Sequence, residues 1–261
     1  MSKLRASLTA IMDSETKDST YYRIAHYLLE NNYIKKRISI QDIADNCFCA
    51  KSTISRFCRQ IGYEDFVELN TDMYMSSIKS QDKYNRYFSD SFEGTKKQFF
   101  MDLEQCICQA EAGIKEMDVK ELAADIFHFK TVGIFGNVQS QTVAKMFQED
   151  LGLSRKIVTA PLLPYNQQLF IQQADENTLI IVVSCSGRFF PDYIRKDEFT
   201  HGKRPKICLV TVQEKMIGNK VYDKVVCIPC ENNYISRPRI LDIFLNMVAI
   251  EYAHLVNENE Q

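Results

Sequence analysis

The sequence predicts two domains of different class. An all-α N-terminal domain holding a helix-turn-helix covers residues 1–75, and an α/β domain with a five-stranded parallel sheet flanked by helices covers 95–261. Three observations carry this. Apolar residues recur at helical spacing throughout the first part. Residues 76–94, SSIKSQDKYNRYFSDSFEG, are poor in aliphatics and rich in serine and charge, and so read as a linker that buries too little to offset its ordering entropy. Beyond it, short apolar runs alternate with segments of helical length, the pattern of βαβ units around a sheet buried on both faces.

The N-terminal elements follow from spacing. Tyr21, Ile24, Ala25 and Leu28 repeat at i, i+3, i+4 and i+7, as do Ile40, Ile43, Ala44 and Cys47, and Ile54, Phe57, Cys58 and Ile61. Three short helices result. After the linker, Phe99, Leu103, Ile107, Ala110 and Ile114 predict one amphipathic helix, and a second runs from about Val119 to Phe129. Strands are predicted at Thr131–Phe135, Lys156–Thr159, Thr178–Val183, Ile207–Val212 and Val225–Ile228, with helical segments such as Ser140–Leu151 and Phe190–Phe199 between them. A long helix, 238–257, closes the chain. It is apolar around most of its circumference, which places it either at the centre of a core or between subunits, with Phe244 and Val248 among its contact residues.

Composition excludes several classes. With 45% hydrophobic and 25% charged residues the chain is not wholly disordered, and no run of about 18 apolar residues predicts a membrane span. The start, MSKLRASLTA, lacks the apolar core of a secretory signal, which predicts a cytoplasmic protein. Nine cysteines, an odd number without the spacing of a disulfide scaffold, read as reduced thiols. A net charge of -2 means that any nucleic-acid surface is a local patch.

One such patch is visible. A short turn around Phe48–Lys51 joins the second and third helices, which is the geometry of a helix-turn-helix. With Ile54, Phe57, Cys58 and Ile61 facing inward, Ser52, Ser55, Arg56 and Arg59 face outward, with Lys51 and Thr53 in the first turn. Between residues 35 and 62 there are six Lys/Arg and two Asp/Glu, whereas residues 1–94 carry thirteen of each sign. Hydroxyl and guanidinium groups are the types that bond base edges and phosphates. A solvated, slightly basic helix face fits the same spacing, and Lys35-Lys36-Arg37 is equally a backbone contact or a solvated loop.

The stretch ISIQDIADNCFCAKSTISRFCRQIGYEDFVELN resembles the N-terminal domain of RpiR-type bacterial transcription regulators. The resemblance rests on Ala44, Ser52-Thr53-Ile54-Ser55-Arg56-Phe57, Gly62-Tyr63 and the Phe66…Leu69 pair. It implies that Lys51, Ser52, Thr53, Ser55, Arg56 and Arg59 meet operator DNA. Two positions depart from the common pattern: Phe48 stands where the turn usually has glycine, and Ala50 where a serine usually caps the reading helix.

In the second domain, two loops at the carboxyl ends of predicted parallel strands combine glycines and small hydroxyl residues: Phe135-Gly136-Asn137-Val138-Gln139-Ser140 and Ser184-Cys185-Ser186-Gly187-Arg188. Open α/β sheets bind ligands there, and backbone N–H groups and a helix N-terminus favour an anion. Ordinary strand-to-helix turns fit the residues as well. The loops are similar to those of a sugar isomerase (SIS) domain, the phosphosugar-binding module of RpiR-type regulators. That resemblance implies a phosphorylated sugar effector held by Ser140, Ser184 and Ser186, with Gly136 and Gly187 allowing close approach. Arg188 is either a charge-assisted phosphate contact or a solvated arginine. Val138 and Phe189 depart from the usual glycine and hydroxyl residue.

The remaining chemistry-bearing residues point elsewhere. Cys227-Ile-Pro-Cys230 has CxxC spacing but no second ligand pair, so no metal or cofactor is expected. Cys47/Cys49 and Cys106/Cys108 read as packing residues, and Cys185 as a buried inert thiol. An isomerase needs a positioned base and a ring-opening group, yet His26, His128, His201 and His254 lie outside both loops and Glu149 has no partner by spacing. The expected protein is therefore a non-enzymatic regulator of carbohydrate metabolism, a homodimer or higher homo-oligomer on palindromic DNA. The alternatives are a sugar-phosphate isomerase and a regulator whose SIS domain only dimerises.

Overall fold

The computed structural model describes residues 3–31, 38–78, 87–137, 139–187, 204–230 and 236–259. They divide into two compact units, one within Met1–Gln81 and Pro161–Leu169, the other within Asp82–Ala160 and Phe170–Gln261. The segments Lys35-Lys36-Arg37, Val138, Arg188-Phe189, 190–199 and His201 lie outside the described residues.

The first unit is helical: α1 (Lys3–Ser14), α2 (Thr20–Asn31), α3 (Ile40–Asn46), α4 (Lys51–Gln60) and α5 (Phe66–Ile78). The apolar sets at 24, 25 and 28, at 43, 44 and 47, and at 54, 57, 58 and 61 all converge on one core. Phe57 packs edge-on against Tyr21, with ring centroids 5.4 Å apart. α1 is not among the three helices that the spacing predicts, although Leu4, Leu8 and Ile11 stand at i, i+4 and i+7 and are fully buried in the same core.

The second unit holds α6 (Phe92–Gly113), α7 (Glu116–His128), β1 (Thr131–Gly136), α8 (Gln139–Leu153), β2 (Thr178–Ser184), β3 (Lys206–Thr211), a 3₁₀ turn at Glu214–Met216, β4 (Lys224–Cys227) and α10 (Ser236–Asn259). Between α8 and β2 lies α9 (Pro164–Gln173). The stretch read as linker contains the end of α5 at Ile78, but also Tyr87, which is buried with its hydroxyl on Asp102 Oδ2 at 2.6 Å, and Ser91, the N-cap of α6.

The sheet is parallel with order β1-β2-β3-β4. Successive strand residues alternate between two apolar clusters, as a doubly covered sheet requires. Ile134, Ile181, Cys208, Val210 and Val226 join the helices α6, α7, α8 and α10, whereas Phe135, Ile180, Val182, Ile207 and Leu209 meet Ile171, Met216 and Tyr222.

The described sheet has four strands rather than the five that sequence predicts. Lys156–Thr159 contributes a single bridge, in which Thr159 N–H donates to Val132 O at 2.9 Å and Ile134 N–H to Thr159 O at 2.8 Å. The rest of that run is used otherwise. Lys156 N–H still closes α8 on Leu151 O, Ile157 is 90% exposed, and Pro161 follows two residues later without an N–H to extend a ladder.

α10 resolves its own ambiguity. Ile240, Leu241, Phe244, Leu245 and Val248 are buried within the unit, packed with α6, α7 and α8, so Phe244 and Val248 are core residues and not subunit contacts. The helix is long and apolar enough by composition to cross a membrane, but its apolar stripe is engaged in this core. Phe244→Ala should therefore lower the stability of the full chain's second unit by about 3–5 kcal/mol in urea denaturation. A loss under about 1 kcal/mol would place the side chain outside the core.

Candidate functional site

The sequence points to two sites, one in each unit. In the first, α3 opens with a complete capping box. Ser39 Oγ accepts from Asp42 N–H, and Asp42 Oδ2 accepts from Ser39 N–H, both at 3.0 Å. Arg23 on α2 donates from Nε to Cys47 O at 3.2 Å and so ties the end of α3 down.

α4 is held at its far end by a Schellman closure. Tyr63 N–H donates to Cys58 O at 2.9 Å and Gly62 N–H to Arg59 O at 3.1 Å, with Gly62 at φ +84°. That left-handed position explains the Gly62-Tyr63 pair.

α3 ends in the same way, since Cys49 N–H reaches back to Ala44 O at 3.0 Å, but the left-handed residue is Phe48, at φ +50° and 86% exposed. At the start of α4, Ala50 occupies the N-cap and makes no side-chain cap bond. Thr53 N–H instead closes on Ala50 O at 2.9 Å.

Between these ends, Ile54, Phe57 and Cys58 are buried while Lys51, Ser52, Arg56 and Arg59 are exposed, with Thr53 and Ser55 half-buried. Ser55 Oγ bonds Lys51 O at 3.2 Å, within its own helix. Burial pushes the Cys58 thiol up to about 12 and the Cys47 thiol up to about 11, so both are neutral packing groups.

In the second unit the strand register sets Gly136 beside Val183 and Ser184 beside Thr211, so the carboxyl ends of β1, β2 and β3 lie side by side. Gly136 N–H donates to Gln141 Oε1 at 2.8 Å. A Cβ on Gly136 would sit 2.5 Å from the Ser140 carbonyl carbon, so only glycine lets α8 begin this close to β1.

The two loops are bonded to each other. Ser140 Oγ accepts from Cys185 N–H at 3.3 Å and directs its proton toward Cys185 Sγ at 3.4 Å. Ser184 Oγ accepts from Gly187 N–H at 3.0 Å, and Gly187 sits at φ +72° against Met216. Ser140, Ser184 and Gly187 are buried, whereas Ser186 is exposed.

Three residues that sequence reading missed complete the arrangement. Thr211 Oγ1 donates to Ser184 O at 2.6 Å, Gln213 Nε2 to Cys185 O at 3.0 Å, and Gln141 bridges Gly136 to Ala160 O. Thr211 and Gln213 were findable, because they follow from applying the carboxyl-end rule to β3 as well.

Burial raises the Cys185 thiol above the usual range, only partly offset by the Ser140 bond and Arg237, so it is protonated at neutral pH. Burial likewise raises Cys227, and it pushes Cys230 up to about 11. Among the described residues no group of three or more Cys, His, Asp or Glu is placed to hold a metal. The described histidines lie on helices: His26 is 3.4 Å from Glu30 on α2, His128 bonds Ala124 O at the end of α7, and His254 is on α10.

The family profile described as "Helix-turn-helix domain, rpiR family" matches residues 3–79. An uncharacterized HTH-type transcriptional regulator of Caldanaerobacter subterraneus is 36% identical over 61 residues, which is 23% of this chain and 22% of that protein, so the likeness spans under a quarter of the relative's length. Among solved structures, the Vibrio vulnificus NanR protein complexed with ManNAc-6P aligns over 98% of this chain and 92% of its own at 15% identity and a TM-score of 0.46. The sugar isomerase domain of an RpiR transcription factor from Sphaerobacter thermophilus aligns over 61% and 89%, at 16% identity and a TM-score of 0.48. Any reading of the second unit's chemistry rests on its own loops.

The uncapped start of α4 yields a direct test. Ala50→Ser should supply the missing acceptor and stabilise the first unit by about 1 kcal/mol, read as a higher urea midpoint at unchanged slope. No shift would mean that the first-turn N–H groups already have an acceptor as good as a serine.

Proposed function

We propose that this chain, whose residues 3–79 match the rpiR helix-turn-helix profile, is a sequence-specific DNA-binding regulator of carbohydrate metabolism. The observation that carries it is the exposed face of α4. Lys51, Ser52, Arg56 and Arg59 turn outward while Ile54, Phe57 and Cys58 anchor the helix from behind. With Thr53 and Ser55 beside them, these residues offer hydroxyl and guanidinium groups to base edges and phosphates of a major groove. Two-fold operators imply a homodimer as the working form.

The effector reading places a phosphorylated sugar at Gly136, Ser140, Ser184, Ser186, Gly187 and Arg188. Ser184 accepts one backbone N–H and has its proton to offer a phosphate oxygen, whereas Ser140 would first give up its bond to Cys185 Sγ. The loops also offer small residues and main-chain donors. For such a ligand to regulate, it must bind one arrangement of the protein better than another. Binding suits these loops better than isomerisation does, since none of the described histidines lies in either loop. A cytoplasmic protein with no membrane contact follows from the same reading.

A second reading, a scaffold that only assembles subunits, is favoured by one observation. The Ser140 and Ser184 hydroxyls are already committed to the backbone of Cys185 and Gly187.

Two experiments test the proposal. Arg56→Ala combined with Ser52→Ala should weaken binding to the chain's own upstream DNA by about 1–3 kcal/mol per lost base contact, and wild-type affinity should fall steeply with salt. Undiminished affinity in the double variant would remove α4 from the interface. Calorimetry with glucosamine-, ribose- and N-acetylmuramic-type phosphates tests the loops. Ser184→Ala should cost about 1–3 kcal/mol of effector affinity. If the wild-type chain binds none of them at millimolar ligand, the scaffold reading replaces the sensor.

A further inference from the structure

Phe48 departs from the locally favoured choice on two independent counts, its backbone conformation and its exposure. It is the left-handed residue that closes α3, at φ +50°, a position where glycine carries no Cβ penalty and a bulky side chain does. Its ring is also 86% exposed and stands apart from the buried core and from the partly buried residues packed on it. The equivalent position at the end of α4, Gly62 at φ +84°, shows the unstrained solution in the same domain. A single exposed apolar side chain is ordinary, but one held at a strained backbone position is where a role other than folding is to be sought.

Its place identifies the partner. Phe48 lies two residues ahead of the Ala50 N-cap, and the next exposed side chains along the chain are those of Ala50, Lys51, Ser52 and Arg56. An aromatic ring at the leading end of a helix whose other exposed groups are cationic and hydroxylic matches a duplex edge that is itself mixed, with phosphates, polar base edges and one apolar group, the thymine C5 methyl. We propose that Phe48 is a specificity-determining residue that meets a thymine methyl in the DNA site read by α4. This rests on the DNA-binding reading of α4 above and assigns to the turn a base preference that the polar residues of the helix do not supply.

The test compares the full wild-type chain with Phe48→Gly and Phe48→Asn, both compatible with a left-handed backbone. Urea denaturation should show each variant folded, with Phe48→Gly no less stable than wild type. Binding sites are then selected from duplexes with a random core, and the enriched site is remade with each thymine replaced in turn by uracil, which lacks only the methyl. The wild-type chain should enrich thymine at one position and lose about fourfold in affinity when that base becomes uracil, the worth of one buried methyl. Both variants should lose that enrichment and be indifferent to uracil, with an unchanged salt dependence. Variants that enrich the same thymine and respond equally to uracil overturn the proposal and leave the DNA-binding reading intact. So does a variant with unchanged base preference whose only defect is a smaller sedimenting mass, which would make Phe48 a protein contact. A wild-type chain that enriches no sequence overturns both.

Discussion

Phe57 lies beneath α4, edge-on to Tyr21 of α2, and Ile54, Cys58 and Ile61 share its core. With those four positions fixed inward, the 3.6-residue period leaves no freedom in what faces out, namely 52, 56 and 59, with 51 at the leading end. The rotation of the helix is thus set by apolar burial, and its polar groups need contribute nothing to holding it. That division lets the exposed face be chosen for a partner. The bond from Arg23 to Cys47 O and the capping box at Ser39 fix the preceding helix in the same way, by groups that take no part in the exposed surface.

Most of this was legible in the sequence because burial writes a period. The three apolar sets of the first unit, and the runs that became β1, β2, β3 and β4, are each buried on the face or faces that their spacing demands. The pattern misleads where a local bond competes with it. Lys156–Thr159 has strand-like composition, but the end of α8 claims its first N–H and a proline cuts it short, leaving one bridge at Thr159. α1 had a readable Leu4-Leu8-Ile11 stripe, and what hid it was its place in a polar N-terminal stretch. For α10 the sequence gives a helix apolar on most sides, and only the packing of Phe244 and Val248 decides between core and interface.

The candidate loops were legible as places but not as bonding. That Gly136, Ser140, Ser184 and Gly187 gather at adjacent strand ends follows from a parallel register and short turns. That Ser140 bonds the backbone of the other loop does not, because such a partner is 45 residues away in sequence and has no periodic signature. The consequence is physical. The two loops are one hydrogen-bonded unit, further held by Thr211 and Gln213 from β3, so a ligand that recruits either serine must exchange an internal bond for its own. Such an exchange is nearly neutral for a neutral acceptor and favourable for a charged one, which sharpens any selectivity for anions over plain sugars.

The turn between α3 and α4 shows the opposite economy. Its Schellman bond from Cys49 to Ala44 is intact, yet the two residues that would make it most stable, a glycine at 48 and a side-chain cap at 50, are both missing. These departures are independent in cause, one being backbone strain with exposed apolar surface and the other an unmade hydrogen bond, and they fall within three residues of each other. Elsewhere in the first unit the local rules are obeyed, in the Ser39 box and at Gly62. A sequence that follows those rules at every other end of the motif and breaks two of them at the leading edge of α4 is one in which that edge answers to something besides folding. The core beneath it, with Phe57 fully buried, is what keeps the motif folded despite the weak turn.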